Sequence, residues 1–389
     1  MNVENSIEKP PTFGQRLKGG FTSFPFLLFL WTRLAYVGMS WMGMTAVETL
    51  YMHDYDRHRE LQPYPWIDGL CRWDCGWFHN LVVNGYMNVE YAKVFPLLAV
   101  IGGGVEKVTG INHLVVFILV ANACALAAYF VIYKLFTEIE NEESARFALL
   151  LFTAFPFAYY SAAGYPESIM MLATAYSIAL ARRGQHIAGG LALTVGFAAR
   201  HLTLAGGAGI LAAQIRQRGL SPKKFLLNPG IIGLLFPWAF LAAFSWYLSW
   251  KVGDPLAWWN SRKIGWNDWV WYGARQVIMN VPYRERPEYF YYLLFSIPLL
   301  AGAAGLIVAL KKKRWEYVEI SAFGLVLLAI VMSSGAAGMG RYLASIWPCF
   351  LPLGVWLSKR PMWQGPVLGF FWLFQGLWFF LFTHQWRVL

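Results

Sequence analysis

Charged residues are scarce in this sequence. Of its 389 residues, 14% are Asp, Glu, Lys or Arg, whereas 58% are hydrophobic and 18% are aromatic. About a quarter of the residues in a soluble protein are charged, so the composition excludes a soluble enzyme. Long apolar runs predict an all-α polytopic membrane protein, and because successive spans pack together in a bilayer, residues 1–389 are predicted to form a single domain.

Cysteine is also scarce, with four residues in the chain. Cys124 and Cys349 fall in apolar runs, where a thiol behaves as a small hydrophobic group. Cys71 and Cys75 lie in a polar segment, and no disulfide framework is expected. His79 continues their four-residue spacing, but a zinc site needs a fourth ligand that the sequence does not offer. We therefore expect no cofactor.

No cleavable signal is evident at the amino end. The first apolar run extends from near Phe21 to about Met44, which is too long for a signal peptide. It is predicted to be the first membrane span, preceded by a cytoplasmic arm at residues 1–20.

The net charge of +11 comes largely from short basic clusters between apolar runs. These clusters contain Arg182 and Arg183; Arg216, Arg218, Lys223 and Lys224; Lys311 to Arg314; and Lys359 and Arg360. Such clusters are typical of cytoplasmic membrane anchors, so we expect a lipid bilayer and no nucleic acid as partner.

The hydropathy pattern predicts about eleven transmembrane segments and two long extracytoplasmic loops. The first loop, residues 47–110, is expected to carry helices that lie on the membrane surface. The second loop covers residues 251–289. Between two basic clusters, residues 187–214 must enter and leave on the same side, so the chain is predicted to reverse near Ala199 to Thr203, at a buried polar cavity.

The segment Cys71 to Pro96 has the residues of an active site. Asp74 is the candidate general base, because a carboxylate near the lipid boundary would be partly desolvated, and Arg72 beside it could keep it ionised. The alternative is structural, with Asp74 as a helix cap or as the salt-bridge partner of Arg72. Asp54 and Asp56 form a second, weaker alternative, because two acids at this spacing can share a divalent metal.

The hypothesis for this segment is the transfer of a sugar from a lipid phosphate. Besides a base, this reaction needs cations to hold the phosphate that leaves. Arg200 at the predicted reversal and Arg341 after Gly340 are the main candidates, because guanidinium binds phosphate through two parallel hydrogen bonds. Arg341 and Lys263 could instead extend towards the membrane interface. The candidate substrate-binding residues are Arg72, Arg200, His201, Lys263, Arg341 and Tyr342. Candidates for supporting roles, each with a structural alternative, are Arg33, Trp73, Trp77, His79 and Glu167.

These residues, in this order, resemble the PIG-V type of mannosyltransferase, a family in the multi-spanning GT-C class. The matching motifs are Arg72-Trp73-Asp74, Trp77-Phe78, Gly85-Tyr86, Phe95-Pro96, Phe155-Pro156, Tyr165 with Glu167-Ser168, Arg200, and Gly340-Arg341-Tyr342. The resemblance implies a GT-C-like bundle, a polyprenyl- or dolichyl-phosphate sugar donor, and inversion at the anomeric carbon. It also implies that Asp74 is the base and that Arg200 and Arg341 lie near the donor phosphate.

The sequence thus predicts a membrane glycosyltransferase that moves a hexose, by resemblance mannose, onto a lipid, glycan or protein acceptor. Its short loops favour a bacterial plasma membrane with the active site on the extracytoplasmic side; the endoplasmic reticulum is the alternative location. A transporter or flippase of a lipid-linked saccharide would also need a polar cavity and intramembrane arginines. A non-catalytic scaffold would leave the Arg72-Trp73-Asp74 cluster without a purpose.

Overall fold

The computed structural model describes residues 22–47, 61, 63–219, 230–261, 287–333 and 339–384, and their regular secondary structure is helical. The helices are α1 Phe24–Ala46, α2 Pro65–Asp68, α3 Cys75–Asn84, α4 Leu97–Thr109, α5 His113–Ile139, α6 Glu142–Ala154, α7 Glu167–Arg182, α8 His186–Ala199, α9 Gly206–Arg218, α10 Gly230–Val252, α11 Ala257–Asn260, α12 Pro287–Lys311, α13 Val318–Ser333, α14 Met339–Leu343, α15 Phe350–Ser358 and α16 Pro361–Thr383. Short 3-10 helices cover Val89–Lys93, Ala158–Ser161, His201–Ala205, Trp315–Tyr317 and Trp347–Cys349.

Five helices in the described ranges are long and apolar enough to cross a membrane. They are His113–Ile139, Gly230–Val252, Leu294–Lys311, Trp315–Ser333 and Pro361–Thr383. Only 22% of the apolar window in Gly230–Val252 is buried, so this helix offers most of its apolar surface to lipid. The protein is therefore a multi-pass membrane protein, but the expected eleven segments are not confirmed. Some expected crossings are short helices, such as α15 with 9 residues, whereas a span needs about 20.

The predicted reversal of the chain near Ala199 to Thr203 is confirmed. Helix α8 ends at Ala199, and α9 begins at Gly206 after a 3-10 turn. The two helices run antiparallel, because the imidazole Nε2 of His186 lies 2.9 Å from the amide oxygen of Gln217, which joins the start of α8 to the end of α9. Arg200 therefore lies at the tip of a hairpin of two half-length helices.

Basic residues from separate clusters meet at one end of the bundle, where they surround Glu319. This carboxylate is fully buried; it accepts hydrogen bonds from Arg182 Nη1 at 2.8 Å and from Arg216 Nε at 2.6 Å. Glu140 pairs there with Arg314. We call this region, with Arg182, Arg216, Arg314, Glu140 and Glu319, the basic end. Acids from other helices thus neutralise part of the clusters that the sequence shows as purely basic.

The first predicted loop, residues 47–110, contains α2, α3, α4 and a 3-10 turn within its described part. A disulfide joins Cys71 to Cys75 there, so the expectation that no cysteines pair is wrong. The two residues lie one helical turn apart, with a Cα–Cα distance of 5.3 Å that a disulfide can span. Because both sulfurs are in the bridge, neither is available as a zinc thiolate.

Several predicted features lie outside the described residues. They are the arm at residues 1–20, the acids Asp54 and Asp56, Lys263, and residues 262–286 of the second predicted loop.

Candidate active site

Asp74 immediately precedes helix α3, and its backbone is fixed from two directions. The hydroxyl of Tyr165 donates a hydrogen bond to the carbonyl of Arg72 at 2.7 Å and accepts one from the amide of Asp74 at 3.0 Å. Between them, Trp73 has a φ of 54°, in the left-handed region that bulky residues rarely adopt. The Cys71–Cys75 disulfide closes the same turn. The Tyr165 hydrogen bonds and the disulfide therefore fix the position of the Asp74 backbone.

Tyr165 can keep both hydrogen bonds across a wide pH range. Burial raises the pKa of its phenol well above the ordinary value, and the nearby Asp74 carboxylate raises it further. The hydroxyl therefore stays protonated around neutral pH and remains a donor to Arg72.

The carboxylate of Asp74 contacts the guanidinium of Arg341, which α14 supplies. A Cβ at Gly340 would lie 2.7 Å from the ring of Phe157, so a glycine there allows α14 to approach closely enough for this contact. Arg341 is 3% exposed, whereas the Asp74 side chain is 19% exposed. The carboxylate lies at the mouth of a cleft, and the guanidinium lies deeper.

Two further charged residues continue from Arg341. Glu167, the first residue of α7, lies 3.9 Å from the Nε of Arg341 through its Oε1 atom, and the same oxygen accepts a hydrogen bond from Arg200 at the tip of the hairpin. We call Asp74, Arg341, Glu167 and Arg200 the ion-pair chain. All but Asp74 are buried, and paired charges are far cheaper to bury than isolated ones.

Tyr342 lies against both guanidinium groups of the chain. Its ring centroid is 4.7 Å from the Cζ of Arg200 and 5.2 Å from that of Arg341, which are cation–π distances. The ring thus contacts both arginines of the chain.

The cleft around this chain combines aromatic and cationic walls. Besides Asp74, Arg200, Arg341 and Tyr342, it is lined by Trp77, Phe78, Lys93, Val94, Phe95, Pro166, Ala199 and His201. Lys93 was not among the predicted site residues. Its Nζ lies 3.9 Å from the ring centroid of Trp77 and 3.1 Å from Glu90. Its position two residues before the Phe95-Pro96 motif was the available signal, but nothing local in the sequence indicates that the amine turns towards Trp77.

Arg72 is not the counter-ion of Asp74. Its two terminal nitrogens donate to both carboxylate oxygens of Asp68, at 3.0 and 2.5 Å, and its Nε donates to the carbonyl of Thr383 at 3.0 Å. The side chain of Arg72 points into the protein, where it joins α2 to the end of α16. Arg341, distant in sequence, takes the place predicted for Arg72. Asp74 makes no side-chain capping hydrogen bond to α3, so the capping alternative is also not observed.

Of the five predicted supporting residues, only Trp77 lines the cleft. Arg33 donates to Asn122 Oδ1 at 2.7 Å and to the carbonyl of Ser161 at 3.1 Å, so it ties α1 to its neighbours. His79 lies 2.8 Å from His113 through ring nitrogens. Trp73 is buried. Trp77 lines the cleft, and Glu167 joins its two arginines.

No group of three or more His, Cys, Asp or Glu side chains in the described ranges could hold a metal ion. Asp54 and Asp56, the weaker metal alternative, lie outside those ranges.

The cleft and the basic end lie at opposite ends of helix α7. Glu167 is its first residue and Arg182 its last, and 16 helical residues extend about 24 Å. A bilayer core is about 30 Å thick, so the two polar regions are separated by most of the thickness of a membrane.

The likeness of this chain to known proteins is structural. No family model matches the chain. No curated protein matches it either. Among solved structures, it is similar to the apo crystal structure of the Archaeoglobus fulgidus oligosaccharyltransferase, with 11% sequence identity and a TM-score of 0.47, over 95% of this chain and 57% of that chain. The chain thus spans a little over half the length of that protein.

Proposed function

We propose that this protein is an integral-membrane glycosyltransferase that transfers a hexose from a polyprenyl-phosphate donor to a hydroxyl group of a lipid or glycan acceptor. The observation that carries the proposal is the ion-pair chain. A partly exposed carboxylate, Asp74, faces two arginines and a lysine across one cleft. Proton acceptance and phosphate release need these two kinds of group close together.

The reaction balances with these groups. The acceptor oxygen attacks the anomeric carbon, its proton passes to the carboxylate of Asp74, and the bond between the anomeric carbon and the phosphate oxygen breaks. That oxygen leaves with the electron pair as polyprenyl phosphate. Arg341, Arg200 and Lys93 stabilise the charge that develops on the phosphate.

The aromatic wall of the cleft fits a sugar. Trp77 and Phe78 line the cleft, and an aromatic ring packs well against the apolar face of a hexose. His201, which lines the cleft beside Phe95, is proposed to hydrogen-bond the sugar or the phosphate. The resemblance of the motifs around Asp74 and Arg341 to the PIG-V type supports mannose as the sugar and inversion at the anomeric carbon.

The active site is proposed to face the extracytoplasmic side of a bacterial plasma membrane. Basic residues favour the cytoplasmic side, and the basic end is at the far end of α7 from the cleft. The Cys71–Cys75 disulfide next to Asp74 also fits an oxidising compartment outside the cytoplasm.

Release of polyprenyl phosphate from polyprenyl-phosphate mannose by the purified protein, in detergent with a candidate acceptor lipid, tests the proposal. Asp74→Asn should lower turnover about a hundredfold or more, because the amide cannot accept the proton. Asp254→Asn, the same chemical change outside the cleft, is the control, and melting temperatures show whether each variant is folded.

Two results would contradict the proposal. If Asp74→Asn turns over normally while Asp54→Asn is inactive, the general base is Asp54 and not Asp74. If the wild-type protein releases no polyprenyl phosphate but moves a lipid-linked saccharide across liposome membranes, the protein is a transporter.

A further inference from the structure

The base and the leaving group compete for the same guanidinium. Nη1 of Arg341 donates to Oδ2 of Asp74, and Nη2 of the same guanidinium lies 3.4 Å from the hydroxyl of Tyr342. A phosphate binds arginine through two parallel N–H groups on one edge. The other edge of this guanidinium, formed by Nε and Nη2, faces the Glu167 carboxylate, whose Oε1 lies 3.9 Å from Nε. A phosphate is therefore left with the edge formed by Nη1 and Nη2, where it competes with the Asp74 carboxylate for Nη1.

We propose that the phosphate of the lipid-linked donor displaces the Asp74 carboxylate from Arg341, so that donor binding itself frees the general base. This inference rests on the proposed function. The guanidinium of Arg341 is the counter-ion of Asp74 in the empty site and of the phosphate once the donor is bound. The donor must consequently bind before the acceptor hydroxyl can be deprotonated.

Burial indicates which partner moves. Arg341 is 3% exposed, is stacked on Tyr342, and lies 3.9 Å from Glu167, so it has neighbours on several sides. The Asp74 side chain is 19% exposed and makes no capping hydrogen bond to α3. The backbone of Asp74 is held by Tyr165, so rotation of the side chain alone can carry the carboxylate away from Arg341 towards the open cleft.

Charge favours the exchange. The ion-pair chain contains two carboxylates and two guanidinium groups, so its formal charge is balanced. A donor phosphodiester adds one negative charge beside Asp74, and like charges at such distances repel strongly in a partly desolvated site. Lys93, across the cleft, supplies a further cation for the phosphate. The carboxylate is therefore pushed outward, towards the space that the acceptor must enter.

The exchange changes the reactivity of the base. A carboxylate engaged by a guanidinium has less tendency to accept a proton than one that has lost this partner. Oδ2 of Asp74, which Nη1 of Arg341 contacts in the empty site, is consequently free to accept the proton of the acceptor hydroxyl when the donor phosphate is bound.

Binding of farnesyl phosphate, measured by calorimetry in detergent, tests the exchange because the probe carries the phosphate without the sugar. In the wild-type protein the probe must displace Asp74, so Asp74→Asn should bind it about tenfold more tightly. Glu90→Gln is the control for general electrostatics, because it also removes one negative charge near the cleft. Its gain should be less than about threefold, since Glu90 contacts Lys93 and not Arg341.

A double-mutant cycle isolates Arg341 as the point of competition. In an Arg341→Gln background, where both variants lack the guanidinium, adding Asp74→Asn should leave affinity for the probe unchanged within about twofold. Removing both members of the pair avoids leaving a buried charge without a partner. If Arg341→Gln alone fails to fold, the double variant is compared with Asp74→Asn and should lose the tenfold gain in affinity for the probe.

The outcomes separate this inference from the proposed function. The exchange is overturned if Asp74→Asn binds farnesyl phosphate no more tightly than the wild-type protein. It is also overturned if the gain in affinity is no larger than that of Glu90→Gln, or if the gain persists in the Arg341→Gln background. An inactive Asp74→Asn enzyme with any of these binding results leaves the proposed function standing. An active Asp74→Asn enzyme overturns the proposed function whatever the probe binds.

Discussion

Asp74 and Arg341 are separated by 267 positions in the chain, yet the carboxylate of one contacts the guanidinium of the other. The contact joins the turn before α3 to α14, and Glu167 and Arg200 continue it to α7 and to the tip of the α8–α9 hairpin. The candidate site is thus assembled from four parts of the bundle. Changes in any of them should affect the chemistry through the ion-pair chain.

Glu167→Gln should lower both turnover and stability. Glu167 is the acid between the two arginines of the chain, and removing its charge leaves a buried guanidinium without its partner. Loss of one member of a buried pair costs about 3–5 kcal/mol. Misplaced arginines should also raise the KM for the donor about tenfold. Melting temperature and steady-state kinetics measure the two effects.

Glu319→Gln is the matched control for this prediction. Glu319 is equally buried and also bridges two arginines, but it lies at the basic end. We expect a similar loss of stability with an unchanged KM for the donor. A comparable KM increase in both variants would show that Glu167 acts only through the stability of the fold.

Tyr165→Phe should reduce turnover about tenfold by removing the hydroxyl that bridges Arg72 and Asp74. The lost hydrogen bonds should cost about 1–3 kcal/mol of stability, because the two backbone groups remain buried. Tyr317→Phe removes a buried hydroxyl at the opposite end of the bundle and should leave turnover per folded molecule unchanged. Normal turnover by Tyr165→Phe would show that the disulfide alone is enough to hold Asp74.

Lys93→Met should raise the KM for the donor about tenfold, with a smaller effect on stability. Methionine keeps the apolar contact with Trp77 but removes the charge that faces the cleft. Lys93→Arg keeps the charge and should retain most of the affinity. If both variants bind the donor like the wild-type protein, Lys93 serves only to pack Trp77 and to pair with Glu90.

Replacing both Cys71 and Cys75 by serine should lower turnover and stability together, since the disulfide closes the turn that carries Asp74. The entropy of so short a loop corresponds to about 2 kcal/mol. Wild-type activity should fall on treatment with dithiothreitol, and the double variant should be insensitive to it. Cys124→Ala, which removes a free thiol, should behave like the wild-type protein under both conditions.

Local features of the sequence predicted a substantial part of this arrangement. The reversal near Arg200 followed from the short apolar interval of 28 residues, 187–214, between two basic clusters, because both clusters had to lie on one side of a membrane. Asp74, Arg200, His201, Arg341 and Tyr342 were each chosen for their chemistry, and all five line one cleft. Their chemical roles stay predictions, and the experiments above test them.

Which side chains pair with each other was not predictable in the same way. Arg72 is adjacent to the Asp74 turn in sequence but pairs with Asp68, because its side chain points towards the end of α16. The disulfide was missed since two cysteines four residues apart bond only when the backbone brings their sulfurs together. The predicted number of membrane crossings, about eleven, is not confirmed, because hydropathy does not distinguish a full span from a short apolar helix buried among others.

Composition and hydropathy by themselves determined that this chain enters a membrane as helices, because the transfer of apolar side chains into lipid depends on each segment alone. The tertiary structure decided which charges meet. An ion pair forms only where packing brings two side chains within a few ångströms, and the packing of distant helices set the pairing of Asp74 with Arg341, of Glu167 with Arg200, and of Arg72 with Asp68. The geometry of the cleft is consequently a property of the folded bundle.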